Sequence, residues 1–92
     1  YSGKHNKAIK ILEKILQEDG SETSPTVFEL FAMCYVEKRD FPQAIANIEI
    51  AIALEPKEAS FYLQQGYIYH EYGKYKKAKK AYVNALKYHP DY

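Results

Sequence analysis

The chain repeats itself every 34 residues. "RDFPQAIANIEIAIALEP", starting at Arg39, aligns without a gap on "GKYKKAKKAYVNALKYHP", starting at Gly73. Ala44 and Ala78, Ala51 and Ala85, and Pro56 and Pro90 are identical pairs at that offset, and Phe41 pairs with Tyr75. Upstream, Phe28 pairs with Tyr62, Ala32 with Gly66 and Tyr35 with Tyr69. A unit this short cannot bury its own apolar face, so neighbouring units must stack. The opening segment "GKHNKAIKILEKILQEDG" matches the second half of a unit. Ala8 lies 36 residues before Ala44, so the loop around Ser21–Ser24 carries two extra residues.

Each unit reads as a pair of helices. Prolines and glycines fall between or after the apolar-periodic runs, and β-branched runs and hairpin signals are missing. The spacing predicts helices over about Lys4–Glu18, Pro25–Lys38, Phe41–Leu54, Glu58–Tyr72 and Lys74–Tyr88. In the first, Ala8, Ile11, Leu12, Ile15 and Leu16 form one stripe, and Gly20 is a stop. Ser24 is an N-cap, with Pro25 at the first helical position, where no N–H is needed. Asp40 caps the third helix, with Gln43 completing a capping-box pair. Gly73 ends the fourth. Short connections make neighbouring helices antiparallel.

Length and composition narrow the function. Ninety-two residues make at most one small domain, and 47% hydrophobic with 27% charged content is globular. Net charge is +1 but unevenly spread. Residues 21–56 hold two basic and six acidic side chains, −4, and residues 57–92 hold seven lysines against three acids, +4. One cysteine, Cys34, excludes an internal disulfide, which is compatible with a reducing compartment. No apolar stretch is long enough to span a membrane, and no signal-peptide pattern is present. A cytoplasmic location is the expectation. The chain starts at Tyr1 rather than Met, as an excised piece would.

These residues resemble the tetratricopeptide repeat family. Tyr62, Gln65, Gly66, Tyr69, Ala78, Tyr82 and Pro90 follow its signature, as do Phe28, Phe31, Ala32, Tyr35, Ala44, Ile48 and Pro56. In the half unit Ala8 and Leu12 fit, with Gly20 where Pro is usual, and Gln65 departs from an expected large apolar residue. The resemblance covers nearly the whole chain. It implies an all-α fold of five helices, antiparallel helix-turn-helix repeats stacked as a right-handed α-solenoid. Residues 1–20 would be the second helix of a truncated repeat whose first helix is reduced to Tyr1 and Ser2. Residues 25–58 and 59–92 would be full repeats. Ala32 and Gly66 would let paired helices cross closely, with Ala44 and Ala78 doing the same from the second helix. Tyr69, Tyr75 and Tyr82 would be core aromatics.

The family's role is protein–protein interaction, as an adaptor or scaffold binding a peptide or helix in a concave groove. The groove positions carried over are Thr26, Glu29, Leu30, Met33, Val36 and Glu37 from one unit. The next supplies Ser60, Leu63, Gln64, Tyr67, His70 and Glu71. One subclass binds the carboxylate tails of heat-shock chaperones through Lys, Arg and Asn in this groove. None of those residue types is among the twelve positions, and three Glu are, so an apolar or weakly basic partner suits it better.

Self-association is the alternative. Ala46, Ile50 and Ala53 form an apolar stripe on the convex face, where the flanking units place Lys10, Lys14 and Gln17, or Lys80, Asn84 and Lys87. Leu86 and Tyr82 would lack cover at the end of the array, and Lys79 stands where Ile9 and Ile45 stand in the other units. The −4 and +4 segments would help copies meet. A nucleic-acid role would use the Lys74–Lys80 cluster, but helical spacing sends Tyr75 and Tyr82 inward, away from those lysines. No catalytic, metal or cofactor residues are assigned. His5, His70, His89 and Cys34 share no ligand spacing, and His70 and Glu71, adjacent on a helix, should point different ways. Cys34 reads as an inert core thiol. The chain is expected not to be an enzyme.

Overall fold

The computed structural model describes residues 4–19 and 24–91, with side chains in the first helix described for residues 6–14. Five helices follow one another: α1 (Lys4–Asp19), α2 (Pro25–Glu37), α3 (Phe41–Leu54), α4 (Ala59–Glu71) and α5 (Tyr75–Tyr88). Each described boundary falls within a residue of its expectation. Tyr1, Ser2, the side chains of Ile15, Leu16 and Gln17, the stop at Gly20 and the loop residues 21–23 lie outside the described residues.

Local chemistry explains the ends. Asp40 caps α3, its Oδ1 accepting from the Gln43 backbone N–H at 3.3 Å. The capping box is only half formed, because the Asp40 N–H already donates to the Tyr35 carbonyl at 2.8 Å. Ser24 occupies the N-cap position of α2 without a side-chain cap bond, contrary to expectation. Its backbone carbonyl instead takes the Val27 N–H, at 3.2 Å.

The turns inside the two helix pairs share one design. Asp40 N–H reaches Tyr35 O and Arg39 N–H reaches Val36 O, while Lys74 N–H reaches Tyr69 O and Gly73 N–H reaches His70 O. Both are Schellman turns, which need a left-handed residue just past the helix. Gly73 supplies it at φ 83°, and Arg39 does so at φ 64°. Arginine pays a steric cost there that glycine does not.

α2 packs on α3 and α4 on α5; α3 joins the two pairs, and α1 lies against α2. The core sits among α2, α3 and α4, where Ala32, Val36, Phe41, Ala44, Ile48, Ala51, Phe61 and Ile68 cluster. Ala78, Ala81 and Ala85 bury the inner face of α5. Alanine lines these seams because helix axes can approach closely only over small side chains. At Gly66 the crossing is tight: an added Cβ would lie 2.5 Å from Cε1 of Tyr82. At the same places one unit earlier stand Ala32 and Ile48, both fully buried. The larger ring is matched to the smaller partner.

Two expectations change. Tyr75 is not core: it is 64% exposed, whereas its counterpart Phe41 is 7% exposed. Phe41 is covered by the Tyr72 ring, stacked at 5.0 Å, and by the Arg39 guanidinium at 4.8 Å. The Tyr72 ring comes from the following helix pair, and Tyr75 belongs to the last described pair. Tyr69 and Tyr82 are half-buried, as core-edge residues. Gln65, in place of the buried Phe31, leaves a cleft of about 280 Å³ that it lines with Tyr69, Ala81 and Asn84.

Candidate partner-binding groove

The side chains of α2 and α4 that point away from α3 and α5 form one face. Met33 from α2 meets Leu63, Gln64 and Tyr67 from α4 around an open pocket of about 440 Å³, floored by Tyr82 from α5. Leu30, Leu63 and Tyr67 remain well exposed there despite their size. Four of the expected groove residues are thus brought together. Tyr82 was not foreseen, because repeat spacing assigns it to the core. Its ring does pack on Gly66, but it also opens onto the groove.

Val36 is corrected. It is 4% exposed and belongs to the core cluster, so it offers no groove surface. Its counterpart His70 is exposed, and the swap reflects which position has a following pair packed over it. Glu37 is exposed at the end of α2, and Thr26 at its start.

Electrostatics divide the groove. At one end, Gln64 Nε2 donates to Glu29 Oε2 across the α2–α4 seam, leaving Gln64 Oε1 buried without a partner. Burial pushes the Glu29 carboxyl pKa up, the nearby Glu58 pushes it further, and the Gln64 bond partly offsets both. Glu58 accepts from Ser60 Oγ at 2.9 Å. Among the described residues no cationic side chain lies within ion-pair distance of Glu29 or Glu58. At the other end, Glu71 has company: Arg39 Nη1 at 3.7 Å and His70 Nδ1 at 3.7 Å. The latter contact overturns the expectation that His70 and Glu71 point apart. The glutamate stem is long enough to bend across the angle separating adjacent helical residues.

Residues 59–92 match the model of the tetratricopeptide repeat family. The chain belongs with the tetratricopeptide repeats. The fold agrees: it is similar to the structure described as "First TPR of Spaghetti (RPAP3) bound to HSP90 peptide SRMEEVD", with a TM-score of 0.84 at 26% identity, over 98% of this chain and 70% of that one. The all-α helical-repeat architecture is the one expected. The mouse (Mus musculus) protein "Protein O-mannosyl-transferase TMTC1" is 32% identical over 90 residues, 95% of this chain but 9% of that protein. The chain therefore corresponds to a small part of that relative's length.

The other surfaces of this repeat array are as follows. Ala46, Ile50 and Ala53 are exposed along one side of α3. Ile9 is buried and Ile45 half-buried, while Lys79 in the same repeat position is exposed. Leu86 is 45% exposed. Cys34 is half-buried, and burial together with Glu37 pushes its thiol pKa up, which disfavours the reactive thiolate. Among the described residues no cluster of His, Cys, Asp and Glu has metal-holding geometry, and no helix is long and apolar enough to cross a membrane.

Proposed function

We propose that this chain is a non-catalytic interaction module that binds a peptide or helix of a partner protein along the α2–α4 face. The observation that carries this reading is the open apolar pocket of Met33, Leu63, Tyr67 and Tyr82. Large apolar side chains left accessible beside polar rims are what helix-in-groove recognition uses. The repeats at 25–58 and 59–92 supply the two groove-lining helices, with residues 1–20 as the second helix of a truncated repeat. The peptide-bound neighbour supports a protein or peptide partner. That neighbour's peptide, SRMEEVD, carries three acidic residues; the groove here presents Glu29, Glu37 and Glu71 instead of Lys, Arg or Asn. The transferase named in the mouse relative is matched over 9% of its length, so the reading here is binding and not that activity.

Capture from cell extract tests it, with Met33→Ala/Tyr67→Ala as the groove variant and Ala46→Glu as the convex control. Partners should be lost with the first and kept with the second. The reverse pattern would move the interface to the convex face and favour self-association or docking there.

One observation supports a second reading. Tyr75 is exposed, in a surface depression it forms with Lys74, Lys76 and Lys77, and Lys74 Nζ lies over the Tyr72 ring at 5.5 Å. Exposed tyrosines among lysines suit single-stranded nucleic acid. Binding of labelled single-stranded RNA that weakens steeply with salt and is lost in Tyr75→Ala would carry it; salt-insensitive or absent binding removes it.

A further inference from the structure

The groove's charge is arranged for a cation from outside. Glu29 and Glu58 share the end of the groove where α2 and α4 begin. The charge on Glu58 pushes the Glu29 pKa up, and among the described residues no cationic side chain forms an ion pair with either. Glu58 sits at the N-cap position of α4. The Gln64 amide donates to one carboxylate oxygen and leaves its own oxygen, an acceptor, without a partner. The Glu29 and Glu58 carboxylates therefore put negative charge and acceptor oxygens at this end. The far end differs: there Glu71 is already flanked by Arg39 and His70.

We infer that the groove selects a partner segment that is both apolar and basic, seating aliphatic or aromatic side chains on Met33, Leu63 and Tyr67 and a Lys or Arg side chain against Glu29 and Glu58. This rests on the reading of the α2–α4 face as the binding surface and adds the chemistry of what it takes. A guanidinium or ammonium group brings several donors, a positive charge and no acceptors, matching the two carboxylates. Among the described residues neither carboxylate forms an ion pair, so a basic partner gains the attraction without first breaking one. An acidic segment would instead add like charge beside the partly desolvated Glu29. The apolar pocket lies next to Gln64, so one bound segment spans both features.

Selection from a display library of random peptides on the immobilised chain tests this. Three baits run in parallel: the unaltered chain, Glu29→Gln/Glu58→Gln, and Met33→Ala/Tyr67→Ala. Their melting curves confirm that each is folded. The unaltered chain should enrich peptides combining Leu, Met or Phe with Lys or Arg. The Gln variant should keep the apolar preference and lose the basic one. Binding of an enriched peptide, read by fluorescence anisotropy, should weaken by about tenfold in the Gln variant and fall with added salt. Peptides without basic enrichment, or enriched in Asp and Glu, that still depend on Met33 and Tyr67 overturn the basic-partner inference and leave the groove reading standing. Peptides that bind the Met33→Ala/Tyr67→Ala chain equally well overturn both.

Discussion

The α2–α3 and α4–α5 pairs follow one template and solve it with different residues. In the first, the crossing is Ala32 against Ile48, the turn residue is Arg39, and Phe41 is roofed by Tyr72. In the second, the crossing is Gly66 against Tyr82, the turn residue is Gly73, and Tyr75 is open to solvent. What differs is where stability is held. The first pair lies between α1 and α4 and has its apolar face covered from both sides. The second keeps a seam of alanines against α4 and leaves Val83 and Leu86 exposed on its outer side. One repeat pattern thus yields a core and an edge, decided by neighbours rather than by the unit itself.

The largest expected effect sits in the covered pair. Ile48→Ala empties a fully buried site at the centre of the cluster and should cost about 2–5 kcal/mol in chemical denaturation. Leu86→Ala, on the corresponding helix of the second pair, should cost under about 0.5 kcal/mol because nearly half of that side chain already meets water. Equal losses at the two positions would break the core-and-edge contrast.

The crossings come next. Gly66→Ala drives a methyl group into the Tyr82 ring and should cost roughly 1–3 kcal/mol. Combining it with Tyr82→Ile reproduces the pairing found one unit earlier. The double variant should recover part of the loss, appearing as a favourable coupling in a double-mutant cycle. Strict additivity would mean that the two crossings are not alternative solutions to one constraint.

The third contrast lies in the turns. Arg39→Gly places at φ 64° the residue the other pair uses. It relieves left-handed strain but adds chain entropy to the unfolded state. It also removes the guanidinium from Phe41 and from Glu71. The net gain should be at most about 1 kcal/mol in thermal unfolding. A clear loss would show that the Arg39 contacts outweigh the strain.

Much of this was legible in the sequence, and the exceptions have causes. Helix ends were readable because Pro25, Asp40, Gly73 and Pro90 act locally. Met33, Leu63, Gln64 and Tyr67, placed together by the resemblance to the repeat family, do line one pocket. Tyr75 and Val36 were misplaced because their burial depends on the adjoining pair, which a single unit's periodicity does not encode. The Glu29–Gln64 bond was hidden for a related reason: those residues are 35 apart, so they do not occupy the same repeat position and meet only through the offset between α2 and α4. Arg39 gave no sign of a left-handed turn except its alignment with Gly73.

The smallest expected effect ties stability to the groove. The raised Glu29 pKa means that the folded chain binds this proton more readily than the unfolded chain. Glu29 therefore favours folding at pH below the ordinary carboxylate value, and that contribution is lost as pH rises through the raised folded pKa. At neutral pH the charge is carried against burial and against Glu58. Glu29→Gln removes this penalty, keeps an acceptor for Gln64 Nε2, and offers the unpartnered Gln64 Oε1 a donor. Its advantage over the unaltered chain should be present at pH 7 and shrink on acidification below the carboxylate range, as followed by thermal melts across pH. An advantage independent of pH would assign the gain to the amide hydrogen bond alone. Lower stability at neutral pH would mean the carboxylate is already compensated in the free chain, and with it the contrast between the charged and neutralised ends of the groove would fail. A substitution that steadies the fold while weakening capture of basic peptides is the combination expected where a charge is kept for binding rather than for folding.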